Sequence, residues 1–133
     1  MAERVYCLYR GKDQESILMQ KNACHDFVEK KGWNIVGEEQ EIGVSGYKVS
    51  ADDLVKLQRI RKAAEQGEFD ILLVFMYDRL GRNLNETPFI AEWFIKKGIH
   101  VWSVYEGEII DGVDAERMLD YIRFWQTDEA QKL

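Results

Sequence analysis

Ile71-Leu72-Leu73-Val74-Phe75-Met76-Tyr77-Asp78-Arg79-Leu80-Gly81-Arg82 is an apolar run that stops abruptly at an acid and two arginines. Its six consecutive apolar residues, preceded by Asp70 and including β-branched and aromatic side chains, suit a strand covered on both faces, as in a parallel sheet. Ligands in such sheets bind at the carboxyl ends of the strands, so any chemistry belongs where this run ends. Arg79 and Arg82 stand three apart, and one helical turn would bring both to one side with Asp78 beside them. Two planar guanidinium forks placed there suit a phosphate group. The plainer alternative is a solvated loop or a structural ion pair.

The rest of the composition narrows the class. A chain of 133 residues, 46% hydrophobic and with one proline, is long enough for one compact domain with a real core. Its net charge of −6 argues against broad non-specific affinity for nucleic acid, so any DNA contact must come from local arginines. Cys7, in an apolar stretch, and Cys24, in a predicted helix, have neither metal-type spacing nor a disulfide framework and read as buried thiols in a reducing cytoplasm. His25 and His100 stand alone and read as solvated or hydrogen-bonded rather than as ligands or bases. Trp33, Trp93, Trp102 and Trp125 read as core or interface residues. Met1-Ala2-Glu3-Arg4 opens no signal sequence, and no apolar run reaches the roughly eighteen residues of a membrane span. A soluble cytoplasmic protein is expected.

Outward from the central run, strands and helices alternate. Arg4 to Arg10 is a first strand, and Ser16 is placed to cap a helix from Ile17 to about Lys31 with Met19 or Gln20, Ala23, Cys24, Phe27 and Val28 facing inward. Trp33 to about Ile42 is a second strand that loses hydrophobic character after Val36, as an edge would. Gly43 to Ser50 is a turn-rich connection, and Ser50 with Asp53 approximates a capping box for a helix through about Gln66, closed by Gly67. Thr87-Pro88 starts a helix whose Phe89, Ile90, Trp93 and Phe94 pack inward. Ile99 to Tyr105 reads as a further strand, and Glu106 to Asp111 as a short edge strand. Asp114 caps a last helix carrying Met118, Tyr121, Ile122 and Trp125. This alternation gives an α/β sheet.

Tyr77-Asp78-Arg79-Leu80-Gly81-Arg82 after its hydrophobic strand resembles the Asp-Arg-Leu-x-Arg signature of the serine recombinase (resolvase/invertase) catalytic domain. Val5-Tyr6-Cys7-Leu8-Tyr9-Arg10 is similar to that family's first strand and its arginine, and Gly43-Val44-Ser45-Gly46 to the Gly-x-Ser-Gly after its second strand. The likeness runs from about Val5 to Trp125. It implies a resolvase-like three-layer α/β domain with a central, mostly parallel sheet and one antiparallel edge strand. Residues 1–133 would be a single catalytic domain, the separate DNA-binding domain being outside this chain. The implied activity is site-specific DNA recombination by strand cleavage and exchange, with DNA as substrate, a homodimer or tetramer as the working state, and neither metal nor cofactor. In that chemistry a serine hydroxyl attacks the scissile phosphate and forms a 5′-phosphoserine link, while arginines stabilise the charge growing on the non-bridging oxygens. Carried over, Arg10, Arg79 and Arg82 form the phosphate clamp, Asp78 orients one of them or assists proton transfer, and Ser45 supports the site.

The nucleophile departs from the pattern. The family's serine lies two residues beyond the first-strand arginine, where this chain has Lys12, and the loop Arg10-Gly11-Lys12-Asp13 is several residues short. The family's arginine about six residues after the Gly-x-Ser-Gly serine falls on Ala51, with Lys48, Lys56 and Arg59 nearby. Ser16 is the other hydroxyl in the first loop and the candidate nucleophile, although helix capping is its commoner role. The resemblance therefore implies a recombinase that is impaired or lacks a nucleophile-bearing piece of this loop, or a non-catalytic module that keeps the fold for dimerisation or regulation. A nucleotide-binding α/β protein would need Gly-x-Gly-x-x-Gly after the first strand, which Arg10-Gly11-Lys12-Asp13 lacks, and a receiver-like phosphoacceptor would need further acids around Asp78.

Overall fold

The structure is a computed structural model and is described for residues 2–42, 51–80 and 87–109; at 51–55, 78, 87 and 88 the backbone alone is described. The elements follow the order β1 (Arg4–Gly11), α1 (Gln14–Lys31), β2 (Asn34–Ile42), α2 (Ala51–Glu65), β3 (Ile71–Val74), a 3₁₀ turn (Tyr77–Arg79), α3 (Thr87–Lys96), β4 (His100–Ser103) and β5 (Gly107–Ile109). They build one five-stranded sheet in the order β2-β1-β3-β4-β5. The first four strands are parallel, and β5 returns antiparallel to β4 as the edge. The mostly parallel sheet with its antiparallel edge is the one expected.

Side chains alternate across the sheet with a period of two, so each strand feeds two cores. Val5, Cys7 and Tyr9 of β1, with Ile71 and Leu73 of β3, pack under Ile17, Cys24 and Val28 of α1. Leu8, Leu72, Val74 and Val101 turn the other way, onto Ile60 and Ala64 of α2 and Ile90, Ala91 and Phe94 of α3. All four residues of β3 are buried, which is why its sequence is apolar without alternation. Helix, sheet and helices thus form three layers.

Several boundaries differ from expectation for identifiable reasons. The helix α1 begins at Gln14, and its cap is Asp13, whose carboxylate accepts from the Ser16 N–H at 2.8 Å; Ser16 lies inside the first turn instead of capping it. On α1, Met19 is exposed and Gln20 is buried, the latter because its side chain finds polar partners at the end of β1. Phe89 was expected inside, but it is 72% exposed, while Ile90, Ala91 and Phe94 take the inner face of α3. Thr87 already belongs to α3 instead of preceding it. β4 is shorter than Ile99 to Tyr105, since residues 104–106 form the turn to β5. The connection 43–50, its capping serine and the helix expected from Asp114 lie outside the described residues.

The edge strand β2 carries a bulge at its start, where the register with β1 slips between Val5/Tyr6 and leaves Val36 half exposed. Beyond it Gly37 makes room for the Tyr6 ring, which a Cβ there would meet at 2.5 Å. Tyr6 in turn stacks on Phe69 at 5.2 Å and donates to Glu39 at 3.4 Å. Burial, with Glu39 beside it, pushes the Tyr6 hydroxyl up to about 12. Among the described residues no helix is long and apolar enough to cross a membrane.

Under α1, the expected buried thiols and hydrogen-bonded histidine form a small polar group. Glu38 accepts from the Tyr9 hydroxyl at 2.6 Å and bonds His25 Nε2 at 2.8 Å through the same oxygen. Burial alone would raise the Glu38 pKa, but the bonds from His25 and Tyr9, helped by the charges of His25 and Lys21, bring it below the ordinary carboxylate value. The bond with Cys7, then burial, pushes the Cys24 thiol far up, so it stays protonated. Because the folded pKa of Glu38 lies below that of the unfolded chain, its contribution to stability is complete above the ordinary carboxylate range and fades as pH falls through the folded value. Urea midpoints measured from pH 7 to pH 3 should therefore fall less steeply for Glu38→Gln than for the unaltered chain.

Candidate functional site

In a sheet ordered β2-β1-β3-β4, successive connections leave β1 in opposite directions, and the crevice opens between the carboxyl ends of β1 and β3. Arg10 is the next-to-last residue of β1, and the Tyr77–Arg79 turn follows β3 after two residues. The ladder ends at Leu8 opposite Val74, which leaves both segments on the same rim. They also share a face. Arg10 is in phase with Tyr6 and Leu8, and Tyr77 and Leu80 sink into that same core beside α2 and α3.

Arg10 is held from two directions. Its Nε donates to Glu41 at 2.8 Å, directly across the β1–β2 pair, and the two side chains are only 18% and 5% exposed. Its backbone is clamped by the fully buried Gln20, whose Oε1 accepts from the Arg10 N–H at 3.1 Å while its Nε2 donates to the Arg10 carbonyl at 2.8 Å. A side-chain amide that satisfies both backbone groups of one residue fixes the strand end where the ladder to β3 has already stopped. Neither Glu41 nor Gln20 was singled out in the sequence. The signal for Gln20 was a polar residue at the inward period of α1, and for Glu41 an acid just before the turn-rich connection.

Ser16 occupies the other side of the rim. Gly11 alternates with Arg10, and a Cβ on it would meet the Ser16 Oγ at 2.5 Å, so the hydroxyl packs against the α1 face of β1. There it also accepts from Gln20 at 3.3 Å. Lys12, two residues on from Arg10 and just past the end of β1, is exposed. Asp78 lies within the 3₁₀ turn, and Arg79, half-buried, closes it. Arg82 and Ser45 fall outside the described residues. Of the cations near Ala51, Lys48 lies outside the described residues, Lys56 donates to the Gln40 carbonyl, and Arg59 lies 3.7 Å from Glu39.

With the fold and its rim established, comparison with known proteins is decisive. The model of the resolvase N-terminal domain matches residues 10–129. The chain belongs to that family. Its fold is that of the N-terminal catalytic domain of TP901-1 integrase, at 24% identity and a TM-score of 0.72 over 93% of this chain and 96% of that one. A resolvase family site-specific recombinase from Streptococcus pneumoniae is similar at 19% identity and a TM-score of 0.72, over 98% and 92% of the two chains. The C-terminal catalytic domain of ISC1926 TnpA, an IS607-like serine recombinase, is similar at 22% identity and a TM-score of 0.65, over 90% and 79%. No curated protein sequence matches.

Within this resolvase-family domain the Arg10–Glu41 pair is sheltered from water, so removing one partner breaks a bond made in a poorly solvated place. Glu41→Ala should lower unfolding stability by about 3 kcal/mol, read as a shift of the urea midpoint.

Proposed function

We propose that residues 1–133 form a single serine-recombinase catalytic domain that grips a DNA phosphodiester at the β1–β3 rim and is impaired in strand cleavage. The observation that carries the reading is the placement of Arg10 and the Tyr77–Arg79 turn on one rim and one face at the switch point. Arg10, Arg79 and Arg82 are the phosphate clamp, Asp78 orients a guanidinium, and Ser45 supports the site. Lys12 adds a cation where the family places its nucleophilic hydroxyl, which favours holding the phosphate over attacking it. Ser16 is the less favoured nucleophile because its hydroxyl packs on the α1 side of the strand that carries Arg10 on its other side.

The domain would act on DNA as a homodimer or tetramer in the cytoplasm. A second reading follows from Lys12 itself: a domain of this fold without the hydroxyl can serve as a non-catalytic dimerisation or regulatory partner of active recombinases.

The test is incubation with supercoiled DNA carrying candidate recombination sites, followed by denaturation and mapping of any protein–DNA adduct. The expected result is non-covalent binding that weakens steeply with salt and no adduct. Arg10→Ala should weaken binding by about tenfold, the loss of one charge-assisted contact. A covalent adduct on Ser16 would overturn the impairment, and DNA affinity indifferent to Arg10 and Arg79 would leave the regulatory reading alone. Lys12→Ser, which puts a hydroxyl two residues beyond Arg10 where the family carries its serine, should yield a detectable adduct on the introduced serine.

A further inference from the structure

The 3₁₀ turn that carries Arg79 has no side-chain cap of its own, since Met76 occupies the capping position in extended conformation. The missing acceptor comes from another part of the chain. Both carboxylate oxygens of Glu106 lie 3.3 Å from the Tyr77 N–H, and Glu106 is aimed by its own N–H, which donates to the buried Ser103 Oγ at 2.7 Å. The Tyr77 hydroxyl, in a side chain that is 4% exposed, donates to the Gly107 carbonyl. Gly107 adopts φ 92°, a left-handed conformation that favours glycine, and so delivers that carbonyl. Two backbone bonds complete the arrangement, from Val104 to the Val74 carbonyl at 3.0 Å and from Tyr105 to the Phe75 carbonyl at 3.2 Å. Every residue from Val74 to Tyr77 except Met76 is therefore tied to the β4–β5 turn.

We propose that Glu106 is a positioning residue for the phosphate rim: the β4–β5 turn acts as a strap that fixes the Tyr77–Arg79 turn, and through it the direction of Arg79. The assignment rests on the reading of that rim as a phosphodiester site. A carboxylate at the first N–H of a helical turn satisfies the donor and favours the turn's positive end, which holds the turn closed without touching the ligand. A guanidinium on an untethered turn would have to be ordered by each phosphate it met, which lowers affinity.

The test compares the unaltered chain with Glu106→Ala and Glu106→Gln, using amide hydrogen exchange and fluorescence anisotropy of a labelled DNA duplex. In Glu106→Ala, exchange at Tyr77–Leu80 should rise about tenfold relative to Leu72–Val74, and DNA affinity should fall by a comparable factor. Glu106→Gln keeps an acceptor oxygen and should restore most of both. Unchanged exchange in the 3₁₀ turn, or a uniform rise across β3 that marks a merely structural loss, would overturn the strap. A local rise in exchange with unchanged DNA affinity would overturn its link to Arg79. Failure of the unaltered chain to bind DNA would instead remove the phosphodiester reading, with the exchange comparison still deciding whether Glu106 holds the turn.

Discussion

The parallel pairing of β1 with β3, Val5 to Leu8 against Ile71 to Val74, is the constraint on which the remaining structure depends. These strands are buried on both faces, so their side chains alternate into two cores and force helices onto both sides. The same pairing stops two residues before Arg10 and leaves the strand ends to diverge. A crevice at that point follows from the order of strands and not from any special motif. What the family resemblance adds is the chemistry of the residues that border it.

Keeping polar groups at such a rim requires partners drawn from elsewhere in the chain. Arg10 is supplied by Glu41 across the sheet and by Gln20 from α1; the Tyr77–Arg79 turn is supplied by Glu106 and Gly107 from the far hairpin. Each support comes from a different element, so the rim is held by the closed fold as a whole. Polar groups this sheltered are costly to leave unsatisfied, and that cost makes the supports specific in position.

Much of this was legible in the residues. The apolar run Ile71–Met76, the helical period that buries Cys24 and Val28, and the weakening of β2 into an edge all follow from one-dimensional patterns that match strand and helix geometry. Boundaries were less legible where local rules compete. Ser16 and Asp13 are both good caps by residue type, and in the fold the Asp13 carboxylate takes the role by accepting from the Ser16 N–H. Phe89 is apolar at a reasonable helical position, yet it faces outward while Ile90 and Phe94 take the inner face as expected. At the site, the Asp78-Arg79 motif was readable and Gln20 stood at an inward position of its helix without an evident polar task, whereas Glu41 and Glu106 looked like ordinary surface polar residues.

The sequence by itself determined the α/β alternation, the doubly covered central strand, the likeness to serine recombinases and the lysine standing where their hydroxyl belongs, because each is a property of neighbours along the chain. Only the tertiary structure decided that Arg10 and Ser16 lie on opposite sides of one strand, and that a buried amide and a distant carboxylate hold the two halves of the rim. The reason is physical: a side chain's face is set by the pleat and by what packs against it, and partners 10 and 29 residues apart meet only after the sheet has closed.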